Sequence, residues 1–91
     1  MRIRTPTTVP SLVATRNGPG ATLYASWNFA TEVAGWVVLS GHRADALNAV
    51  GVANLAGFET VISVPRARAY VAVEAIDSSG AVLGKSKPLK L

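Results

Sequence analysis

The side chains available for chemistry are few, and they are scattered. One histidine, His42, and no cysteine occur in 91 residues. A zinc site draws three or four converging ligands mostly from those two residue types, so a metal centre here would rest almost wholly on carboxylates. Ser40, His42 and Asp45 offer the residue types of a nucleophile, its base and an orienting acid, all within six positions. Such a trio is common by chance in one short loop, and nothing beside it suggests a pocket for an oxyanion. His42 therefore reads as a solvated loop residue. The carboxylates Glu32, Asp45, Glu59, Glu74 and Asp77 fall in different segments, and Asp77 is better explained as a turn residue. Gly18 and Gly20 flank Pro19, which lacks an amide donor, and no helix follows to cradle a phosphate. No catalytic, cofactor-binding or metal-ligating residue is assigned, and no cofactor is expected.

Two tryptophans remain, Trp27 and Trp36. Exposed together they would suit stacking on sugar rings. Trp27 alternates with Leu23 and Ala25, which predicts burial between sheets beside Leu23, Val71 and Val73. Trp36 shares a face with Val38 and is also expected in the core.

Around these residues the composition describes a small packed domain. Without cysteine there are no disulfides, so packing must supply the stability. Hydrophobic residues make up 49% and charged residues 15%, against about 25% charged in an ordinary soluble domain. Small domains have much surface to cover, so some apolar side chains must lie outside, as on a module that docks on a neighbour. The net charge is +4, from nine Lys and Arg against five Asp and Glu. A nucleic-acid surface would need a denser basic stripe with aromatics between, and none is expected. No apolar run approaches the roughly 18 residues that span a bilayer, and Met1-Arg2-Ile3-Arg4 does not lead into the apolar stretch of a signal peptide.

The chain reads as strands separated by turn residues every 8–12 positions. Residues 1–8 form a linker and 9–91 the domain. Ser11–Thr15 is a first strand, and Asn17-Gly18-Pro19-Gly20 a turn. Thr22–Asn28 alternates cleanly, and Val33–Gly41 is apolar on both faces. Ala44–Val50 has the spacing of one helical turn, but the glycines around it favour a loop and a short strand over Val50–Leu55. Phe58–Val64 stops at Pro65, Ala69–Asp77 is the strongest strand, and Asp77-Ser78-Ser79-Gly80 turns into a last strand, Ala81–Leu91. Lys85, Lys87 and Pro88 there suit an edge that must not pair with other molecules. The expectation is an all-β, seven-stranded antiparallel Greek-key sandwich of the immunoglobulin-like kind.

Pro10-Ser11-Leu12, then Leu23-x-Ala25-x-Trp27, then Val71-x-Val73-x-Ala75-x-Asp77-x-x-Gly80 resemble the fibronectin type III domain. One departure stands out: the tyrosine that this family places two positions before Val71 falls on Ala69, and Tyr70 faces the other way. A longer set of matches covers most of residues 9–87. Tyr24-Ala25-Ser26-Trp27-Asn28-x-Ala30-Thr31-Glu32-Val33-Ala34-x-Trp36, Gly57-Phe58-Glu59-Thr60 and Tyr70-Val71-Ala72-Val73-x-Ala75-x-Asp77-x-Ser79-Gly80-x-Val82-Leu83-Gly84 are similar to the C-terminal sandwich of arylsulfotransferase-like proteins. The resemblance implies an accessory domain that follows a β-propeller in a secreted, extracellular parent. The family's catalytic residues lie in the propeller, so none transfers to this chain.

The expected role is therefore a non-catalytic structural or docking module that packs on a neighbouring domain of the same parent chain, or on another protein. A recognition module that binds a protein or a glycan through its end loops is the alternative. If Trp36, Val38, Val71, Val73 and Ala75 face the core, then Val37, Leu39, Tyr70 and Ile76 face outward by strand alternation. Those four are the candidate docking surface, for a partner domain or for a second copy in a weak homodimer. No nucleic acid or membrane partner is expected.

Overall fold

A computed structural model of the chain describes residues 10–27, 32–56 and 59–91. The expected linker over residues 1–8, and the parts of expected strands at Asn28 and Phe58, lie outside them. The described residues contain strands and turns but no helix. In chain order the strands are β1 (Ser11–Asn17), β2 (Gly20–Ser26), β3 (Gly35–Arg43), β4 (Ala46–Asn54), β5 (Thr60–Val64), β6 (Tyr70–Ile76), β7 (Val82–Lys85) and β8 (Leu89–Lys90). Two antiparallel sheets pack together. One runs β1-β2-β5; the other runs β4-β3-β6-β7, with β8 also pairing with β6.

The pleat decides which side chains meet between the sheets. From the three-stranded sheet come Ala21, Leu23 and Ala25 of β2 with Ile62 and Val64 of β5; from the other come Trp36 and Val38 of β3 with Val71, Val73 and Ala75 of β6. These side chains alternate along each strand, as a sheet with one buried face requires. Leu12, Ala14, Trp27, Ala53, Leu83 and Leu89 close the rim. Inward polar groups find partners: Trp36 Nε1–H donates to Thr60 Oγ1 at 3.1 Å, a buried bond from one sheet to the other.

Three expectations are corrected. Residues 46–49, expected in a loop, are strand. β4 begins at Ala46, four residues before the expected strand, because residues 43–46 close a tight hairpin with β3, with Arg43 opposite Ala46. A bulge in that pair leaves Val50 as an extra residue between Ala49, opposite Leu39, and Gly51, opposite Val38. The last strand divides into β7 and β8 because Ser86 turns inward. Its N–H donates to the Val73 carbonyl at 2.8 Å, and its hydroxyl accepts from Val73 N–H at 3.0 Å. Trp27 lies just past β2 and is only half-buried, at the rim rather than centrally between the sheets. Trp36, at 1% exposure, holds the position expected of it.

Both turn signals form. Gly18 takes a φ of 58° in the β1–β2 hairpin and Gly80 a φ of 91° after Asp77, the left-handed region that glycine enters without steric cost. Asp77 Oδ1 accepts hydrogen bonds from Ser79 N–H, Ser79 Oγ and Ala81 N–H at 2.7–2.9 Å.

Candidate functional site

Val37, Leu39, Tyr70 and Ile76 all lie on the side of the five-stranded sheet that faces away from the core, because their neighbours Trp36, Val38, Val71 and Ala75 face into it. The four do not form one open patch. Leu39 is only 7% exposed and its register partner Ala72 is fully buried, so this part of the face is already covered within the chain. Leu39 is corrected from a solvent-facing docking residue to a buried one. Val37, Tyr70 and Ile76 are half-buried.

Register places the rest of that face in rows. Val52 of β4, Val37 of β3, Glu74 of β6 and Lys85 of β7 stand side by side. The next row holds Asn54, Gly35, Ile76 and Val82. Tyr70 lies at the far end of β6, opposite Gly41 and Lys90. The apolar surface is therefore two neighbouring pairs, Val37 with Val52 and Ile76 with Val82, beside the opposed charges of Glu74 and Lys85. Val52 is 71% exposed and Val82 56%. Neither was picked out from the sequence. Val82 lies in a strand whose lysines suggested a solvated edge, and Val52 joins the face only through its register with Val37.

The three-stranded sheet carries a second apolar row that the sequence reading did not single out. Val13, Tyr24 and Val61 are in register across β1, β2 and β5 on the outer face, and both valines are largely exposed. Beside them Thr15, Thr22 and Ser63 form a polar row. Alternation along β5 contains the signal, since Val61 is out of phase with Thr60, Ile62 and Val64.

Ser40, His42 and Asp45 are held apart by other partners. Ser40 is buried; its hydroxyl donates to the Tyr70 carbonyl at 3.0 Å and accepts from Arg68 N–H at 2.8 Å. His42 is exposed, and its Nε2 lies 2.8 Å from Arg68 Nη1. Because a guanidinium can only donate, Nε2 accepts and the ring proton sits on Nδ1. Asp45 pairs with Arg43 at 3.3 Å, both side chains being exposed. Ser40 thus ties β3 to the start of β6, and the three residues do not form a relay.

The strand ends sort the charges. Arg16, Arg43, Arg66, Arg68 and Lys90 lie at the end that carries the β1–β2 and β3–β4 turns, with Asp45 the one acid there among the described residues. Arg16 reaches from β1 to the carbonyls of Ala67 at 2.9 Å and Arg68 at 3.3 Å, and so fastens the β5–β6 connection. A shallow cleft of about 520 Å³ opens there, lined by Pro19, Val50, Val64, Pro65, Arg66 and Arg68 among others. Glu32, Glu59 and Asp77 lie at the opposite end. The hydrogen bonds from Ser79 and Ala81 hold the Asp77 carboxyl below its ordinary value. Searches among protein-family models, curated proteins and solved structures find no match to this chain.

Proposed function

We propose that the chain is a non-catalytic accessory module of the fibronectin type III kind, which docks on a larger neighbouring domain through the outer face of its five-stranded sheet. The strand order, β1-β2-β5 opposite β4-β3-β6-β7, supports that sandwich type, with β7 and β8 together acting as its last strand. The observation that carries the docking role is the position of the exposed large apolar side chains. Of the six exposed large apolar side chains among the described residues, four lie on sheet faces, Val52 and Val82 on one and Val13 and Val61 on the other, while Leu55 follows β4 and Val50 sits in its bulge; a module that recognises ligands by its loop tips would place most of them at its ends. The motifs shared with arylsulfotransferase-like proteins support a propeller as the neighbour and an extracellular parent.

The test is direct. The domain encoded beside this chain in its reading frame, produced separately, is expected to bind it. Ile76→Lys with Val82→Lys is expected to abolish that binding while leaving the urea midpoint nearly unchanged, because Val82 is open to solvent and the longer lysine can carry its charge outward from position 76. Undiminished binding by this folded double variant would move the docking surface elsewhere. A reading frame without propeller repeats would remove the propeller from the proposal.

A further inference from the structure

The four sheet edges of the sandwich are not protected equally. The β7–β8 edge carries Lys85, Lys87, Pro88 and Lys90, and β1 carries Arg16. β5 is five residues long and ends at Pro65. β4 is nine residues long, Ala-Leu-Asn-Ala-Val-Gly-Val-Ala-Asn, without a charge or a proline. Among the described residues it pairs with β3 on one side and ends the order of its sheet on the other. A long, neutral edge strand with unpaired N–H and C=O groups and exposed valines is a template for another strand.

The bulge at Val50 breaks the regularity of this edge and leaves Gly51–Asn54 as the run able to pair. The direction of its backbone groups follows from one bond: Leu55 N–H donates to the Ala34 carbonyl, toward β3. Backbone groups alternate sides along a strand, so those of Ala53 also face β3, and those of Val52 and Asn54 face the open edge. We infer that β4 pairs antiparallel with β4 of a second copy of this chain, about a two-fold axis at Ala53. In that register Val52 of one copy stands opposite Asn54 of the other. Each such pair exchanges two hydrogen bonds, so the four outward amide and carbonyl positions on each copy are satisfied together.

Self-pairing is the occupancy this run fits. A two-fold axis at Ala53 keeps the bulged residue out of the ladder, whereas an axis at Val52 would set Val50 opposite Asn54. The side chains nearest the axis are small or neutral, so no like charges oppose one another within the paired run. Val52 also continues the outer-face row with Val37, so pairing joins the corresponding surfaces of the two copies. This inference does not depend on the docking role: it concerns the edge of the sheet, not its face.

Sedimentation of the whole chain over a concentration series, with Val52→Pro and Ile76→Lys alongside, tests the inference. The wild type is expected to shift from the monomer mass toward twice that mass, and Ile76→Lys to do the same. Val52→Pro removes an N–H that points away from β3, so it is expected to stay folded and monomeric. A wild type that remains monomeric at millimolar concentration overturns the inference. So does a dimer that survives Val52→Pro but is lost in Ile76→Lys, which would place the contact on the face. If Val52→Pro does not fold, amide exchange of the wild type decides: Val52 and Asn54 are expected to slow as concentration rises, and exchange independent of concentration overturns the pairing.

Discussion

Trp36 is the residue on which both sheets bear. Its ring is buried, and its one polar group is satisfied by Thr60 from the opposite sheet, which also accepts Ala56 N–H at 3.2 Å. Trp36→Ala is expected to destabilise the fold by about 3–5 kcal/mol, and Thr60→Val by about 1–3 kcal/mol, since it strands two donors without filling a void. Urea melts check both. A Thr60→Val midpoint equal to the wild type would mean that water reaches the indole nitrogen. Asp77 works through its charge instead. Its folded pKa is lowered, so the unfolded state binds protons first as pH falls. The resulting stabilisation is complete above the ordinary carboxylate range, near 4, and is lost as pH drops through the lowered value. Asp77→Asn should therefore be less stable than the wild type at neutral pH, with a gap that closes in acid. A gap that stays constant down to strongly acid pH would leave the charge without a role.

At the scale of elements, the last two strands depend on a single hydroxyl and a single missing side chain. Ser86 is buried and takes the Val73 N–H that a continuous strand would have bonded through its backbone. Ser86→Ala should cost about 1–3 kcal/mol by leaving that amide unpaired. Its amide exchange should rise at Val73 before it rises elsewhere in β6, and uniform loss of protection would contradict a local role. Two residues earlier, Gly84 lies under the Trp27 ring: a Cβ there would stand 2.5 Å from Cη2 of that indole. Gly84→Ala is expected to cost about 1–3 kcal/mol through overpacking. Trp27→Ala in the same background should remove most of that penalty, because the two changes share one contact. Additive losses would show that the clash is relieved by movement of β7 instead.

For the whole molecule, the sorting of charge matters as much as the core. Strands of seven residues rise about 23 Å, and the Debye length at physiological salt is about 8 Å. The arginine-rich end and the acidic end therefore act on solution independently, and their opposed signs do not cancel at close range. Neutralising Arg66 by Gln should lower retention on a cation exchanger strongly, while Lys85→Gln, which removes the same single charge but from a position opposite Glu74, should lower it less. Equal shifts would mean that net charge alone governs retention. The same layout leaves the two sheet faces short of charge, which is why the apolar surplus in the composition appears there as exposed valines.

Period-two alternation made much of this fold legible before any coordinates. Leu23 and Ala25, Trp36 and Val38, and Val71, Val73 and Ala75 had to share a side, and the turns at Gly18 and Asp77–Gly80 are set by local chemistry that needs no distant partner. The outward direction of Val37, Tyr70 and Ile76 follows from the same alternation. Other features were settled by neighbours remote in the chain. Alternation gives the side on which Leu39 lies but not its depth, and at 7% exposure it is buried. The phase of Trp27 matches that of Leu23 and points it inward, yet its position past the end of β2 sets it at the rim over Gly84. The early start of β4 and the break at Ser86 arise from pairing with β3 and β6. Side-chain phase is a property of a strand by itself, whereas depth and register belong to pairs of strands, and only the tertiary structure brings those pairs together.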